Sequence, residues 1–290
     1  MIQKKSKVVL VALSNALPLQ MKEKIEELCK ALREMDLVPV CSDYLYQTES
    51  VRGSKAKLKA EELERFYEDK TIRAIFDVSG GDIANEVLGE LNFDTIKILN
   101  QSKESKKIFW GYSDLTTIVN AIYAQTNQTT YLYQIRNLVS QEAIAQQQNF
   151  KESIFENRDS LFRFEYRFLQ GESMEGIVIG GNIRCFLKLA GTPFMPDFTD
   201  KILFLESRSG GVAQMITFLS QYKQLGAFKK VKGILLGSFT QMEQETLVPT
   251  IEELVVEIVD DPNLPIAKTS EIGHGMDSKA IKIGEILKLS

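Results

Sequence analysis

Lys107-Ile108-Phe109-Trp110-Gly111-Tyr112-Ser113-Asp114-Leu115 is a short apolar run that stops at a glycine, after which Leu115, Ile118, Ala121 and Ile122 recur at helical spacing. The pattern predicts a strand over Lys107 to Trp110, a sharp turn at Gly111 and a helix that begins at once. Such an elbow lifts a side chain clear of a sheet and aims the first free amides of the helix at anything bound there. A serine in that turn is either a nucleophile or the helix N-cap, and Ser113 fits both. The strict G-x-S-x-G pattern is not met, because Leu115 stands where its last glycine would be.

Outward from the elbow, strand-like and helix-like stretches alternate. Val8 to Leu13 is a six-residue apolar run suited to a first buried strand. Lys4, Lys5 and Lys7 before it imitate a signal peptide, but six apolar residues are short for its hydrophobic region. No stretch approaches the roughly 18 apolar residues that span a bilayer, so a cytoplasmic protein is expected. A helix over Leu19 to Met35, a strand at Leu37 to Val40, a helix over Lys55 to Lys70 and a strand at Ile72 to Val78 follow. That last strand stops at Ser79-Gly80-Gly81-Asp82, and Ile83 to Leu91 is read as another helix. The period is lost from about Thr126 to Gly171, which marks a crossover between domains. Beyond it come strands at Gly176 to Gly180, Lys201 to Leu205 and Val231 to Leu236, with closing strands near Ile266 and Ile281. Helices are expected at Asn182 to Leu189, Met215 to Tyr222 and Thr250 to Val259. The fold class is therefore α/β: an N-terminal parallel-sheet domain over residues 1–160 that carries the elbow, and a smaller, strand-rich C-terminal α/β domain over residues 161–290.

Composition narrows the chemistry. The chain has 290 residues, 44% hydrophobic and 26% charged, which suits an ordinary globular protein of two domains. Its formal net charge of −4, with basic residues scattered among acids, argues against a nucleic-acid polymer as partner. Cys29, Cys41 and Cys185 are odd in number and lack C-x-x-C spacing, so neither a disulfide framework nor a thiolate metal site is expected. One histidine and no H-E-x-x-H leave zinc without its usual ligands. No metal or cofactor is called for.

The single histidine, His274 in Ile272-Gly273-His274-Gly275-Met276, is the one side chain suited by its ordinary pKa to general-base work near neutrality. Its flanking glycines allow an unusual backbone, although a lone histidine also occurs as a plain surface residue. Glu206, directly after Ile202-Leu203-Phe204-Leu205, is placed to steady an imidazole or to be a solvated strand end. Gly80 and Gly81 offer bare backbone amides after a strand, or an ordinary turn, and they form neither a G-x-G-x-x-G nor a P-loop.

Together these segments resemble the serine peptidase family of LD-carboxypeptidases and microcin C7 self-immunity proteins. The matching pieces run in the family's order: Ser79-Gly80-Gly81-Asp82, Gly111-Tyr112-Ser113-Asp114-Leu115-Thr116, Gly180-Gly181-Asn182, Gly191-Thr192-Pro193, Leu205-Glu206 and Gly273-His274-Gly275. The resemblance implies a triad of Ser113, Glu206 and His274 and an oxyanion hole from the Gly81 and Asp114 amides. It further implies Gly80, Asp82 and Asn182 against the substrate, the acid and base on the C-terminal domain, and a homodimer. Gly81-Asp82-Ile83-Ala84-Asn85 looks more like the microcin-immunity branch than the G-G-Y-G form of murein enzymes.

The expected reaction is acyl transfer through Ser113 on a murein LD-peptide or an aminoacyl-nucleotide. The first substrate needs a cationic side chain for its free carboxylate. The second needs an aromatic face for its base, and Trp110 is expected to be core. Two rivals stand beside this: an α/β-hydrolase esterase, which has the same chain order but carries all three residues on one sheet, and a ligand-binding protein on a scaffold that has lost the triad geometry.

Overall fold

The computed structural model describes residues 2–101 and 106–290. Its strands are β1 Lys7–Val11, β2 Val38–Cys41, β3 Ile72–Asp77, β4 Ile108–Gly111, β5 Thr130–Leu132, β6 Arg167–Gln170, β7 Met174–Asn182, β8 Lys201–Ser207, β9 Gly233–Phe239, β10 Ile266–Lys268, β11 Ile281–Ile283 and β12 Ile286–Leu289. They form two six-stranded sheets, ordered β11-β5-β4-β3-β1-β2 and β12-β7-β8-β9-β10-β6. Within the first, β5 through β2 are parallel and only β11 runs antiparallel. Within the second, β7 through β10 are parallel, flanked by antiparallel β12 and β6. The α/β class and the strand-rich second half are as expected from the sequence. β11 lies late in the chain yet completes the first sheet beside β5, and β12 then returns to the second.

Parallel strands must be buried on both faces, and these are: Val8, Val9, Leu10, Ala74, Ile75 and Phe76 expose none of their surface. Alternation along β4 sends Trp110 to one side of the first sheet, where it packs edge-on to Phe76 and Tyr131. Phe109 faces the other side, into a core continuous with Ile118, Ile122, Phe204 and Leu235. That shared core glues the elbow helix, Thr116–Thr126, to the second sheet.

Two stretches differ from the sequence expectation. In place of one helix over Ile83 to Leu91 there are two short ones, Asn85–Leu88 and Phe93–Leu99, because Asn92 caps the second by accepting from the Thr95 amide at 3.0 Å. The aperiodic Thr126 to Gly171 region holds β5, the helix Ala143–Phe155 and β6. That helix buries only Gln146 and Phe150, a stripe too thin to register as an apolar period. Strand β12 was also not anticipated.

Candidate active site

In the order of the first sheet, β1 sits between β2 and β3, so the chain reverses direction across the sheet there, and the loops after β1 and β3 lie at the carboxyl edge, where ligands bind in open α/β sheets. Asn15, after β1, meets the loop after β3: its Oδ1 accepts from the Asp82 amide at 3.1 Å. Gly81 lies against it with φ of 129°, and a Cβ there would come within 2.3 Å of the Asn15 Cγ, so only glycine brings this backbone so close. Asp77, fully buried at the end of β3, ties the two loops together. It accepts from the amides of Leu13 and Ser79, each at 2.8 Å, and from the Ser79 hydroxyl at 2.5 Å.

Burial outweighs those donors and pushes the Asp77 carboxyl up to about 6. An unfolded aspartate titrates near pH ~3.9, so the native chain holds the extra proton between the two values. The stability this group contributes is therefore fully present below about pH 4 and is lost as pH rises through about 6. In urea unfolding followed from pH 4 to 6.5, the wild type should lose up to about 3 kcal/mol relative to Asp77→Asn. Parallel profiles for the two proteins would contradict this.

Ser113 follows β4 with φ of 58°, a left-handed conformation that a non-glycine residue rarely holds. It starts a single 3-10 turn, Ser113–Leu115, that leads into the helix Thr116–Thr126, so the elbow expected from the sequence is present. The second sheet is stitched to this helix through β7. The Asn120 side chain donates to the Gly180 carbonyl at 2.8 Å and accepts from its amide at 2.9 Å. The Asn182 amide donates to the Thr116 hydroxyl at 3.0 Å. Gly181, with φ of 140°, leaves room for this, since a Cβ would meet the Thr116 Oγ1 at 2.6 Å.

With β7 anchored, its neighbour β8 is placed as well, and Glu206 stands opposite Asn182 in the register. The β8 register against β9 slips between Leu205 and Ser207, which frees Glu206 from the ladder on that side. Its carboxylate is wholly buried. It meets His274 Nδ1 at 2.7 Å, and its other oxygen accepts from the Asn182 Nδ2 at 3.2 Å. His274 Nε2 in turn lies 3.1 Å from the Ser113 Oγ. The histidine loop after β10 is held by the Ser278 hydroxyl on the Gly273 amide and by the Asn137 side chain on the Gly275 carbonyl. Serine and imidazole are partly exposed, and the acid is sealed.

Of the other residues singled out, Asp114 is buried and hydrogen-bonded to the Ser14 hydroxyl and the Ala84 amide. Gly80 bridges to Asn15. Asp82 is exposed, and its carboxylate pairs with Arg184. Asn182 spends both ends of its side chain within the protein, on Glu206 and on the Cys185 amide, and so acts on the acid. Tyr112 escaped the sequence reading. Its ring packs edge-on to the imidazole at 4.9 Å, and burial followed by the Glu206 charge pushes its phenol well above the usual range. Its place in the elbow, directly before Ser113, was the available signal. Arg136 also escaped notice: it lies on the turn Ile135–Val139 beyond β5, next to the Asn137 that holds the histidine loop. Among the described residues its guanidinium has no carboxylate partner and meets only the Gln134 Oε1, at 3.2 Å through Nε. A cavity of about 380 Å³ beside it is lined in part by Lys24, Ser140 and Met276.

Ser113 thus comes from one sheet, and Glu206 and His274 from the other, whereas an α/β-hydrolase esterase carries its three residues on a single sheet. Among the described residues no group of His, Cys, Asp and Glu has the makings of a metal site, and no helix is long and apolar enough to cross a membrane.

Known proteins share this fold. A Bacillus subtilis protein named "Probable murein peptide carboxypeptidase" is 26% identical over 236 residues, covering 77% of this chain and 70% of that protein. The Escherichia coli microcin C7 self-immunity protein MccF is 24% identical over 274 residues, covering 82% and 77%. A solved structure of MccF in complex with aspartyl sulfamoyl adenosine superposes with a TM-score of 0.85 at 21% identity, over 99% of this chain and 93% of that one. The family profile for the LD-carboxypeptidase N-terminal domain matches residues 8–133, and that for the LD-carboxypeptidase C-terminal domain matches residues 175–289. With both halves matched in order over most of its length, the chain belongs to the LD-carboxypeptidase family of peptidases.

Proposed function

We propose that this peptidase is a serine-type carboxypeptidase working through Ser113, His274 and Glu206. The observation that carries the reading is the imidazole held between a hydroxyl at 3.1 Å and a buried carboxylate at 2.7 Å. His274 takes the Ser113 proton as Oγ attacks the substrate carbonyl, and the imidazolium that results is stabilised by Glu206. The Gly81 and Asp114 amides receive the oxyanion. His274 then gives the proton to the leaving nitrogen as the C–N bond breaks, and water, deprotonated by the same imidazole, hydrolyses the acyl-serine.

The substrate favoured is a small peptide with a free terminal carboxylate. Arg136 supports this, as a partly buried cation beside the histidine loop with no carboxylate of its own. Trp110 is wholly buried and therefore cannot stack on a nucleobase. The likeness to MccF, solved with aspartyl sulfamoyl adenosine, makes an aminoacyl-nucleotide the second candidate. The deciding experiment incubates the enzyme separately with a murein tetrapeptide and with aspartyl sulfamoyl adenosine, and reads products by mass spectrometry. Release of D-alanine from the tetrapeptide is expected. Arg136→Gln should raise KM for that peptide by roughly 10- to 100-fold, with kcat changed by less than about threefold. Cleavage of the nucleotide conjugate alone would transfer the assignment to the second candidate. Cleavage of neither by folded protein would refute the peptidase reading for both.

A further inference from the structure

Lys188, just beyond the short helix Ile183–Leu187, reaches from the second half of the chain into the loops of the first. Its ammonium forms an ion pair with Asp114 Oδ1 and donates to the Asp82 carbonyl at 2.7 Å. The remaining oxygen of Asp114, Oδ2, accepts from the Ser14 hydroxyl at 2.7 Å and from the Ala84 amide at 2.8 Å. One cation therefore grips two separate segments. One bears the Asp114 amide, and the other places the Gly81 amide next to Asp82. The Asp114 side chain has no exposure to solvent and that of Lys188 only 17%, so water screens this pair weakly and cannot replace it.

We propose that Lys188 is a positioning residue that sets the spacing between the Gly81 and Asp114 amides. This rests on the oxyanion-hole assignment made above. A pair of donors stabilises an oxyanion only while both stay within hydrogen-bonding distance of the position the oxygen occupies in the transition state, and losing one donor costs roughly 10²- to 10³-fold in kcat. Without Lys188 the Asp114 carboxylate keeps its two neutral donors but loses its ion-pair partner, and the Asp82 carbonyl is released. The two segments then remain joined through the Ala84 amide on Asp114 Oδ2 but lose the link at the Asp82 carbonyl, so the spacing of the two amides loosens. The ground-state carbonyl makes weaker demands on the same donors, so the defect belongs in kcat and leaves KM nearly untouched.

The test uses the rate of covalent labelling by an alkyl fluorophosphonate, which requires no knowledge of the natural substrate because the phosphonyl oxygen occupies the same hole. Lys188→Met should label at least tenfold more slowly than wild type at a temperature well below its unfolding midpoint. Lys188→Arg, which keeps the charge, should stay within about fivefold, and it serves with Lys188→Gln if the methionine variant does not fold. On whichever peptide the wild type cleaves, kcat should fall in parallel, with KM within twofold. A folded Lys188→Met or Lys188→Gln that labels at the wild-type rate would overturn the proposal and leave the triad reading intact. Absence of labelling in the wild type would remove the triad reading and this inference with it.

Discussion

Ser113→Ala and His274→Ala are each expected to abolish labelling by a fluorophosphonate and to lower kcat by roughly 10⁴- to 10⁶-fold while leaving the fold in place. The serine contributes little to stability. Its hydroxyl makes one partly exposed contact to the imidazole, and alanine has the same difficulty with the left-handed backbone at this position as serine has. Its chemical role has no substitute nearby, since the thiol of Cys185 is buried and pushed up to about 12, by burial first and by the Asp114 charge after it. Loss of either partner should cost about as much as loss of both, because hydroxyl and base act as one unit. Mass spectrometry of the labelled protein supplies the check: an adduct on Ser113→Ala, or one elsewhere than residue 113 in the wild type, would defeat the assignment.

Glu206→Gln is expected to lower kcat by about 10⁴-fold and to destabilise the protein as well. The carboxylate takes its hydrogen bonds at both oxygens, from the imidazole Nδ1 and from the Asn182 Nδ2. A glutamine has one oxygen for two donors. If that oxygen faces Asn182, the amide NH₂ faces Nδ1 and imposes the tautomer whose Nε2 carries the proton, which cannot accept one from Ser113. If it faces the imidazole, two NH₂ groups oppose each other in a site closed to water, at a cost of about 1–3 kcal/mol. Either way the imidazolium loses its countercharge. Steady-state kinetics together with urea unfolding would read both effects. A variant within tenfold of wild-type kcat would mean that the glutamate does not support the base.

Much of this protein was legible along the chain. The elbow was, because a strand ending at Gly111 and a helical pattern beginning at Leu115 leave the three intervening residues few conformations. The same holds for the buried strands β1, β3 and β8, whose apolar runs have no other use in a parallel sheet. The helix Ala143–Phe155 was hidden because its buried stripe consists of two residues, one of them a glutamine. β5, β11 and β12 are three or four residues long, and their place in a sheet depends on the neighbours they meet.

The site divides in the same way. Residue type already marked His274 as the only imidazole, Glu206 as an acid at a strand end and Gly81 as a flexible amide. Asn182 entered through the resemblance, as a substrate contact; that its side chain meets Glu206 depends on the register of β7 against β8, a long-range quantity. Arg136 and Lys188 have no local signature, and Tyr112 has only its place before Ser113, since a cation or an aromatic ring becomes functional through what it faces. By itself the chain determined the local backbone and the menu of chemical groups, because sterics and hydrophobic period act between near neighbours. Only the docking of two sheets decided which groups meet, across 161 residues for serine and base and 68 for base and acid. A hydrogen bond depends on tenths of an ångström, and at such separations those are set by packing of the shared core.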